Sequence, residues 1–222
     1  MVEIAASFAG PRTAHEYVKD SLRQAILRGT IPGGSRLVQK DVARDLQVST
    51  TPVREALRDL ATEGLIRLDP HRGAIVHRLS YEETREIHDI CKLLEPEALK
   101  QAAASITEKT LAEAEALIEQ MANEEDPGRW ADLNRQFHGV IIQDIKSKYL
   151  QDILRTLRDT AAMYVGVAIQ ERPGQTAEAN HDHREFIEVL RKGNGRSAGE
   201  LGKRHLDLTL QTLAESQHVL EH

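Results

Sequence analysis

Between Val48 and Ala61 the apolar residues fall at Val53, Ala56, Leu57, Leu60 and Ala61, the i, i+3, i+4, i+7, i+8 spacing of one helical stripe. Pro52 sits in the first turn, where its missing N–H costs no intrahelical bond, and Ser49 or Thr51 is placed to cap the start. The opposite face carries Thr50, Thr51, Arg54 and Arg58. Upstream, Thr13 to Arg28 reads as a helix with Ala14, Val18, Leu22, Ala25 and Ile26 on one face, closed by Gly29. After the turn Ile31-Pro32-Gly33-Gly34, a short second helix turns Val38, Val42, Ala43 and Leu46 inward and Lys40 and Arg44 outward. Two short helices joined this tightly form a helix-turn-helix. Downstream, the runs Leu65–Leu68 and Gly73–His77 flank Asp69-Pro70-His71-Arg72, which predicts a two-stranded hairpin with a basic tip.

From Ser80 onward the pattern is helical throughout, with helices expected at about 81–104, 107–123, 127–145, 147–171, 176–192 and 195–218. The breaks fall at Ser105-Ile106-Thr107, Asp126-Pro127-Gly128, Arg172-Pro173-Gly174 and Gly193-Asn194-Gly195. The expected fold is mainly α. A loose leader over 1–11 precedes a winged helix-turn-helix of three helices and a wing over 12–79, and an all-α antiparallel bundle follows over 80–222.

The overall charge of −6 argues against a nucleic-acid binder until the chain is divided. Residues 1–80 hold 12 Lys/Arg against 9 Asp/Glu, while 81–222 hold 17 against 26. A basic head on an acidic body is the asymmetry of a protein whose head alone meets DNA. Cys91 is the only cysteine, which excludes a disulfide framework and a cysteine-based zinc cluster within one chain. No apolar run approaches the roughly 18 residues of a membrane span, and no signal-peptide pattern is present, so the expected location is cytoplasmic.

Three body helices carry a histidine on the apolar stripe. In the third, Trp130, Leu133, Phe137, Ile141 and Ile145 mark the buried face, with Asn134 and His138 beside it and four residues apart. In the fifth, His183 runs in phase with Phe186, Ile187 and Leu190, while His181 points about 160° away, toward solvent. In the last, Ala198, Leu201, His205 and Leu208 share a face. A single inward histidine is ordinarily a hydrogen-bonded core residue. Several unpaired imidazoles are costly to bury together, whereas one divalent ion satisfies them all. Three neutral imidazoles and one oxygen suit Zn²⁺, Ni²⁺ or a related ion.

The run from Pro32-Gly33 through Arg36-Leu37, then Ser49-Thr50-Thr51-Pro52-Val53-Arg54-Glu55-Ala56-Leu57, Leu60, Glu63-Gly64-Leu65 and Gly73, resembles the winged helix of the GntR family of bacterial transcription regulators. The resemblance implies DNA contacts on Lys40, Thr50, Thr51, Arg54 and the wing around Arg72 and Gly73. The family usually places an arginine where this chain has Thr50, which bears on which operator is read. The body is similar to the all-helical ligand-binding domain, named FCD, of the FadR-like branch of that family. Its metal signature is an Asp or Asn with a His four residues on, then a His on each of two later helices about 22 residues apart. Asn134, His138, His183 and His205 match it. In such domains the metal keeps open positions for a small carboxylate effector. Asn134 brings a neutral oxygen where many relatives have aspartate. Cys91 stands where the family often has an arginine facing the pocket, so either the effector differs or another cation serves, for example Arg135, Arg155 or Arg158.

Taken together, the sequence predicts a homodimeric, DNA-binding transcription regulator, a repressor by the family's habit. It would bind a pseudo-palindromic operator in double-stranded DNA under the control of a small carboxylate at a divalent metal, Zn or Ni. A dedicated metal-ion sensor is the alternative. A metal-dependent hydrolase is disfavoured, because Asp182 and Glu185 are expected to point away from the face of His183 and no His-Glu-x-x-His motif exists.

Overall fold

The structure, a computed structural model, describes residues 13–69, 73–78, 80–171 and 174–215. The chain divides into two compact units, Met1–Leu79 and Ser80–His222.

The first unit is built from α1 (Ala14–Leu27), β1 (Arg36–Leu37), α2 (Gln39–Asp45), α3 (Thr50–Thr62), β2 (Ile66–Asp69) and β3 (Gly73–Val76). A reciprocal capping box opens α1: the Thr13 side chain accepts from the Glu16 N–H, and the Glu16 carboxylate accepts from the Thr13 N–H. The link from α2 to α3 turns at Gln47, whose φ of 55° is unusual for a side-chain-bearing residue. Val18 and Leu22 of α1 pack with Val53, Ala56, Leu57 and Leu60 of α3 as fully buried residues. Ser49 is the N-cap residue of α3, but its side chain makes no capping bond, contrary to expectation. Val38 is 39% exposed rather than inward, because it precedes α2 instead of lying on its buried stripe. The wing also differs from the two-stranded hairpin predicted. Arg36 and Leu37 pair antiparallel with Ile75 and Ala74, giving a three-stranded sheet in the order β1-β3-β2. A two-residue strand is too short to show an alternation in sequence.

The second unit contains α4 (Tyr81–Ser105), α5 (Glu108–Ala122), α6 (Pro127–Val140), α7 (Lys148–Glu171), α8 (Gln175–Arg191) and α9 (Gly195–Glu215). Ser80 and Glu83 form a second capping box, at the start of α4. Asp126 caps α6 by accepting from the Arg129 N–H, with Pro127 in the first turn. That helix stops at Val140, five residues short of its expected end. Ile141, Ile142 and Ile145 stay buried in turns, and the Gln151 amide donates to the carbonyls freed there, Ile142 at 3.3 Å and Gln143 at 2.9 Å. Gly139 sits one residue before this ending, and a side chain from the next helix stabilises it.

The core of this unit gathers Leu99, Leu111, Ile118, Met121, Trp130, Phe137, Ile141, Leu154, Phe186 and Leu190. On α9, Gly195, Gly199 and Gly202 lie one turn apart against α4. A Cβ on Gly199 would meet the Pro96 carbonyl oxygen at 3.1 Å, and one on Gly195 the Lys100 carbonyl oxygen at 3.0 Å. The missing side chains let the two backbones approach, which brings His205 of α9 to the same cavity as the α4 residues His88, Cys91 and Glu95. Among the described residues no helix is long and apolar enough to cross a membrane.

Candidate functional site

In the first unit, Lys40 of α2 and Thr50, Thr51, Arg54 and Arg58 of α3 are all exposed. The buried stripe of α3 occupies its other face, so the helix is held by one side and displays the other. Arg44 is taken up by Asp41 at 3.0 Å and Asp45 at 3.2 Å. No such ion pair is recorded for Arg54 or Arg58 among the described residues. Without a side-chain cap, the first-turn N–H groups of α3 also have no local acceptor from Ser49. Gly73 begins β3 opposite Asp69 with φ of 80°, a conformation that favours glycine. Arg72, expected at the wing tip, lies outside the described residues.

In the second unit the three expected histidines converge. His138 of α6, His183 of α8 and His205 of α9 offer ring nitrogens that all lie within 4.8 Å of one another. Their ring centroids form a near-equilateral triangle with sides of 5.3, 5.2 and 5.2 Å. All three are buried; His183 is completely so, against Phe137 at 4.4 Å and Trp130 at 6.1 Å between ring centroids. Both ring nitrogens of His183, Nδ1 of His138 and Oδ1 of Asn134 are buried without a hydrogen-bond partner. Four orphaned atoms in one place are unusual, since buried polar groups are nearly always satisfied.

His205 is held differently. Its Nδ1 lies 3.0 Å from Oδ2 of Asp182, which is itself buried. A carboxylate only accepts, so Nδ1 carries a proton toward Asp182, and Nε2 is the ring nitrogen that Asp182 does not engage. Burial pushes the Asp182 carboxyl up, but the His205 hydrogen bond and charge, with Arg204, outweigh it and hold it below its usual range. The expectation that Asp182 points away from the site is therefore corrected. The buried face of α8 is broad, running through Asn180, Asp182, His183, Phe186 and Ile187, and Asp182 reaches α9 from its edge. Leu208 is likewise corrected, being 42% exposed while Ala198, Leu201 and His205 are buried.

The cavity beside the triangle is lined by Asn134, His138 and His205, by Cys91, Arg135 and Arg158, and also by His88 and Glu95. Arg158 pairs with Glu95 at 2.5 Å. Arg135 donates to Asp132 at 2.8 and 2.9 Å and to Asp159 at 2.9 Å. Arg155 is not in this group. It is 59% exposed, 3.6 Å from Asp152, and lines a neighbouring hollow together with Arg135, Arg158, Gln143 and Gln151. On α7 it lies three residues before Arg158, on a neighbouring part of the same face, but its side chain ends in solvent. Burial pushes the Cys91 thiol up to about 12, with Glu95 adding to it, so in the metal-free protein it stays protonated, and it is not among the residues whose ligand atoms converge with the histidines. His88 and Glu95 were missed in sequence. The signal was present as the i, i+3, i+7 series His88, Cys91, Glu95 on one stripe of α4, but polar residues do not register as a buried face.

Burial holds His138 and His183 well below the usual histidine range, with Arg158 and His205 adding charge repulsion, and it lowers His88 as well. Because these folded pKa values are depressed, the unfolded chain takes up protons first as pH falls through 6.5. The stability of the metal-free protein is therefore fully present above that pH and lost below it. The expected slope is about 0.7 kcal/mol per pH unit at pH 6.5 and approaches about 1.4 kcal/mol per pH unit a unit below it, for each such histidine. Urea titrations of the chelated protein from pH 7.5 to 5.5 measure it; a flat profile would contradict the buried neutral rings.

Two family models match the chain: "Bacterial regulatory proteins, gntR family" over residues 14–76, and "FCD domain" over residues 86–208. Among curated proteins, the chain is 31% identical to the gluconate operon transcriptional repressor of Bacillus subtilis over 166 residues, 73% of this chain and 66% of that protein, just short of two thirds of its length. It is 30% identical to the transcriptional repressor RspR of Escherichia coli K12 over 142 residues, 63% of this chain and 62% of that one. Among solved structures, a GntR transcriptional regulator from Rhodococcus sp. RHA1 matches with a TM-score of 0.72 at 25% identity, covering 90% of this chain and 97% of that one. Escherichia coli McbR/YncC shares the fold with a TM-score of 0.78 at 21% identity, over 93% and 99% of the two chains. These relatives and this fold are those of transcriptional regulators, not enzymes.

Proposed function

The chain belongs to the GntR family of bacterial regulatory proteins and carries that family's FCD domain, and from this premise we propose that it is a repressor whose operator affinity is set by a small carboxylate bound at a divalent metal. The observation that carries the reading is the triangle of His138, His183 and His205, completed by Asn134, with four buried polar atoms lacking partners. The donor set fits a borderline ion such as Zn²⁺ or Ni²⁺: neutral imidazoles, one amide oxygen and no thiolate. Such an ion, when bound, supplies a positive centre with open positions for an anion. His138, His183, His205 and Asn134 would hold it.

The winged helix would place α3 in the major groove, with Thr50, Thr51 and Arg54 toward the DNA and Lys40 and the wing at Gly73 and Arg72 on flanking phosphates. One head contacts few base pairs, so the functional unit is a homodimer on a pseudo-palindromic site. The effector acts only through a difference in affinity between the DNA-competent and incompetent states, about 5–150-fold in operator affinity for a coupling of ~1–3 kcal/mol. Fluorescence-anisotropy titration of the operator tests the scheme, first with Zn²⁺ or Ni²⁺ alone and then with the ion plus small carboxylates. A change on metal alone, with none from any carboxylate, would make the ion itself the signal. Indifference to both would remove the control mechanism.

Asp182 tests the metal half on its own. As the partner that fixes the His205 tautomer, it should matter through orientation. Asp182→Asn is expected to weaken Zn²⁺ binding about 10–100-fold in a competition titration with a chromogenic chelator, with Asp182→Glu recovering part of the loss. Equal affinity in both variants and the wild type would take His205 out of the ligand set.

A further inference from the structure

The wing sheet sets two cations in one cross-strand row. Arg36 of β1 stands opposite Ile75 of β3, and Ile75 in turn stands opposite Arg67 of β2. Side chains alternate between the two faces of a sheet. In the flanking rows Leu37, Ala74, Ile66 and Val76 are buried, with Leu68 half-exposed at the edge, so that face is the inner one. Arg36, Ile75 and Arg67 therefore share the outer face, where both arginines are exposed and Ile75 between them is half-buried. Two strand spacings of about 4.8 Å put the arginine stems on the order of 10 Å apart.

Neither guanidinium has a hydrogen bond or ion pair among the described residues. Other arginines of the same unit do: Arg23 meets Asp20 and Glu63, and Arg44 meets Asp41 and Asp45. Asp69 lies on the outer face one row nearer the wing tip, opposite Gly73, and already has a partner of its own. Gly73 precedes Ile75 by two residues on β3, about 7 Å along the strand. The arginine row thus continues the surface that begins at the wing. A second copy of this face would bring the same two cations against them, whereas a phosphodiester backbone supplies the missing anions.

We propose that Arg36 and Arg67 grip the DNA backbone beside the wing, one guanidinium to each of two phosphates, and add affinity that is independent of base sequence. This rests on the DNA-binding reading above and adds to it a surface that senses charge rather than base edges.

Anisotropy titrations between 50 and 200 mM salt test it, on the operator and on a scrambled duplex of the same composition. The full chain is compared with Arg36→Gln, Arg67→Gln and the double variant. Each phosphate contact adds about 0.9 to the slope of log affinity against log salt. Over that range each single variant should therefore lose about 3.5-fold less affinity than the wild type, and the double variant about 12-fold less. At 50 mM the variants should bind both duplexes more weakly by the same factor, with unaltered melting curves. Arg36→Lys and Arg67→Lys keep the charge and should retain the wild-type slope. Unchanged affinity in the double variant, weaker binding with an unchanged slope, or a loss confined to the operator would each overturn the proposal while leaving DNA binding intact. A wild-type chain that binds neither duplex would overturn both.

Discussion

Exchanging His183 for phenylalanine is expected to abolish the metal-induced rise in melting temperature while leaving the metal-free protein at least as stable as before. His183 is fully buried, and both of its ring nitrogens lack partners. In the metal-free protein each such atom costs about 1–3 kcal/mol relative to a satisfied one. Phenylalanine removes both, and it enters a wall already formed by Trp130, Phe137 and Phe186, where an aromatic ring of similar shape packs well. The metal-bound protein behaves oppositely. An ion present at a hundredfold excess over its dissociation constant stabilises the native state by about 2.7 kcal/mol. For a chain of this length that corresponds to roughly 5–10 °C in Tm. Loss of one of three imidazoles should remove nearly all of it. Thermal melts of wild type and variant, each chelated and then supplied with Zn²⁺ or Ni²⁺, separate the terms. A variant that keeps the full metal-induced shift would make the histidine triangle an ordinary buried cluster. A variant that melts far below the chelated wild type would mean that the orphaned nitrogens had partners after all.

The parts of this molecule that could be read in advance are those in which one helix shows its own phase. Val53, Ala56, Leu57 and Leu60 mark the inner face of α3, and they are among the most buried residues of the unit. His138, His183 and His205 could be placed because each rides an apolar stripe, although nothing local shows that the three stripes meet. What stayed hidden depends on contacts between elements. Asp182 lies about 100° from His183 on its helix, which reads as a different face, until α9 packs close enough for His205 to take its carboxylate. Glu95 looks like a solvated charge in sequence, and only its pairing with Arg158 explains its burial. The early end of α6 belongs to Gln151, from another helix. Arg155 and Arg158 differ by less than one turn, and pattern alone could not say which arginine reaches the histidines.

Replacing Arg54 with alanine is expected to weaken operator binding by about 1–3 kcal/mol per recognised half-site, roughly 5–150-fold for each, with no loss of fold. The fold should survive because Arg54 is exposed, no ion pair is recorded for it, and alanine is the better helix former. The same stretch of α3 carries the apolar stripe, so a destabilising change would confuse the result; Arg54 is the position where the two roles separate cleanly. The form of the loss then reports what the guanidinium touches. If it reads a guanine edge, the cognate operator weakens while unrelated DNA does not, and discrimination relaxes at one base pair in each half-site. If it meets a phosphate, binding weakens across all sequences and the slope of log affinity against log salt falls by about one for each contact removed. Anisotropy titrations at several salt concentrations, on cognate and scrambled duplexes, distinguish the two. In a two-fold dimer both heads carry the change, so the total loss should be about twice that of a heterodimer with one altered head. Unchanged affinity on every duplex, with an unaltered melting curve, would remove the exposed face of α3 as the reader. The contact would then have to come from Lys40 or the wing, the other exposed positions of the first unit that the family resemblance assigns to DNA.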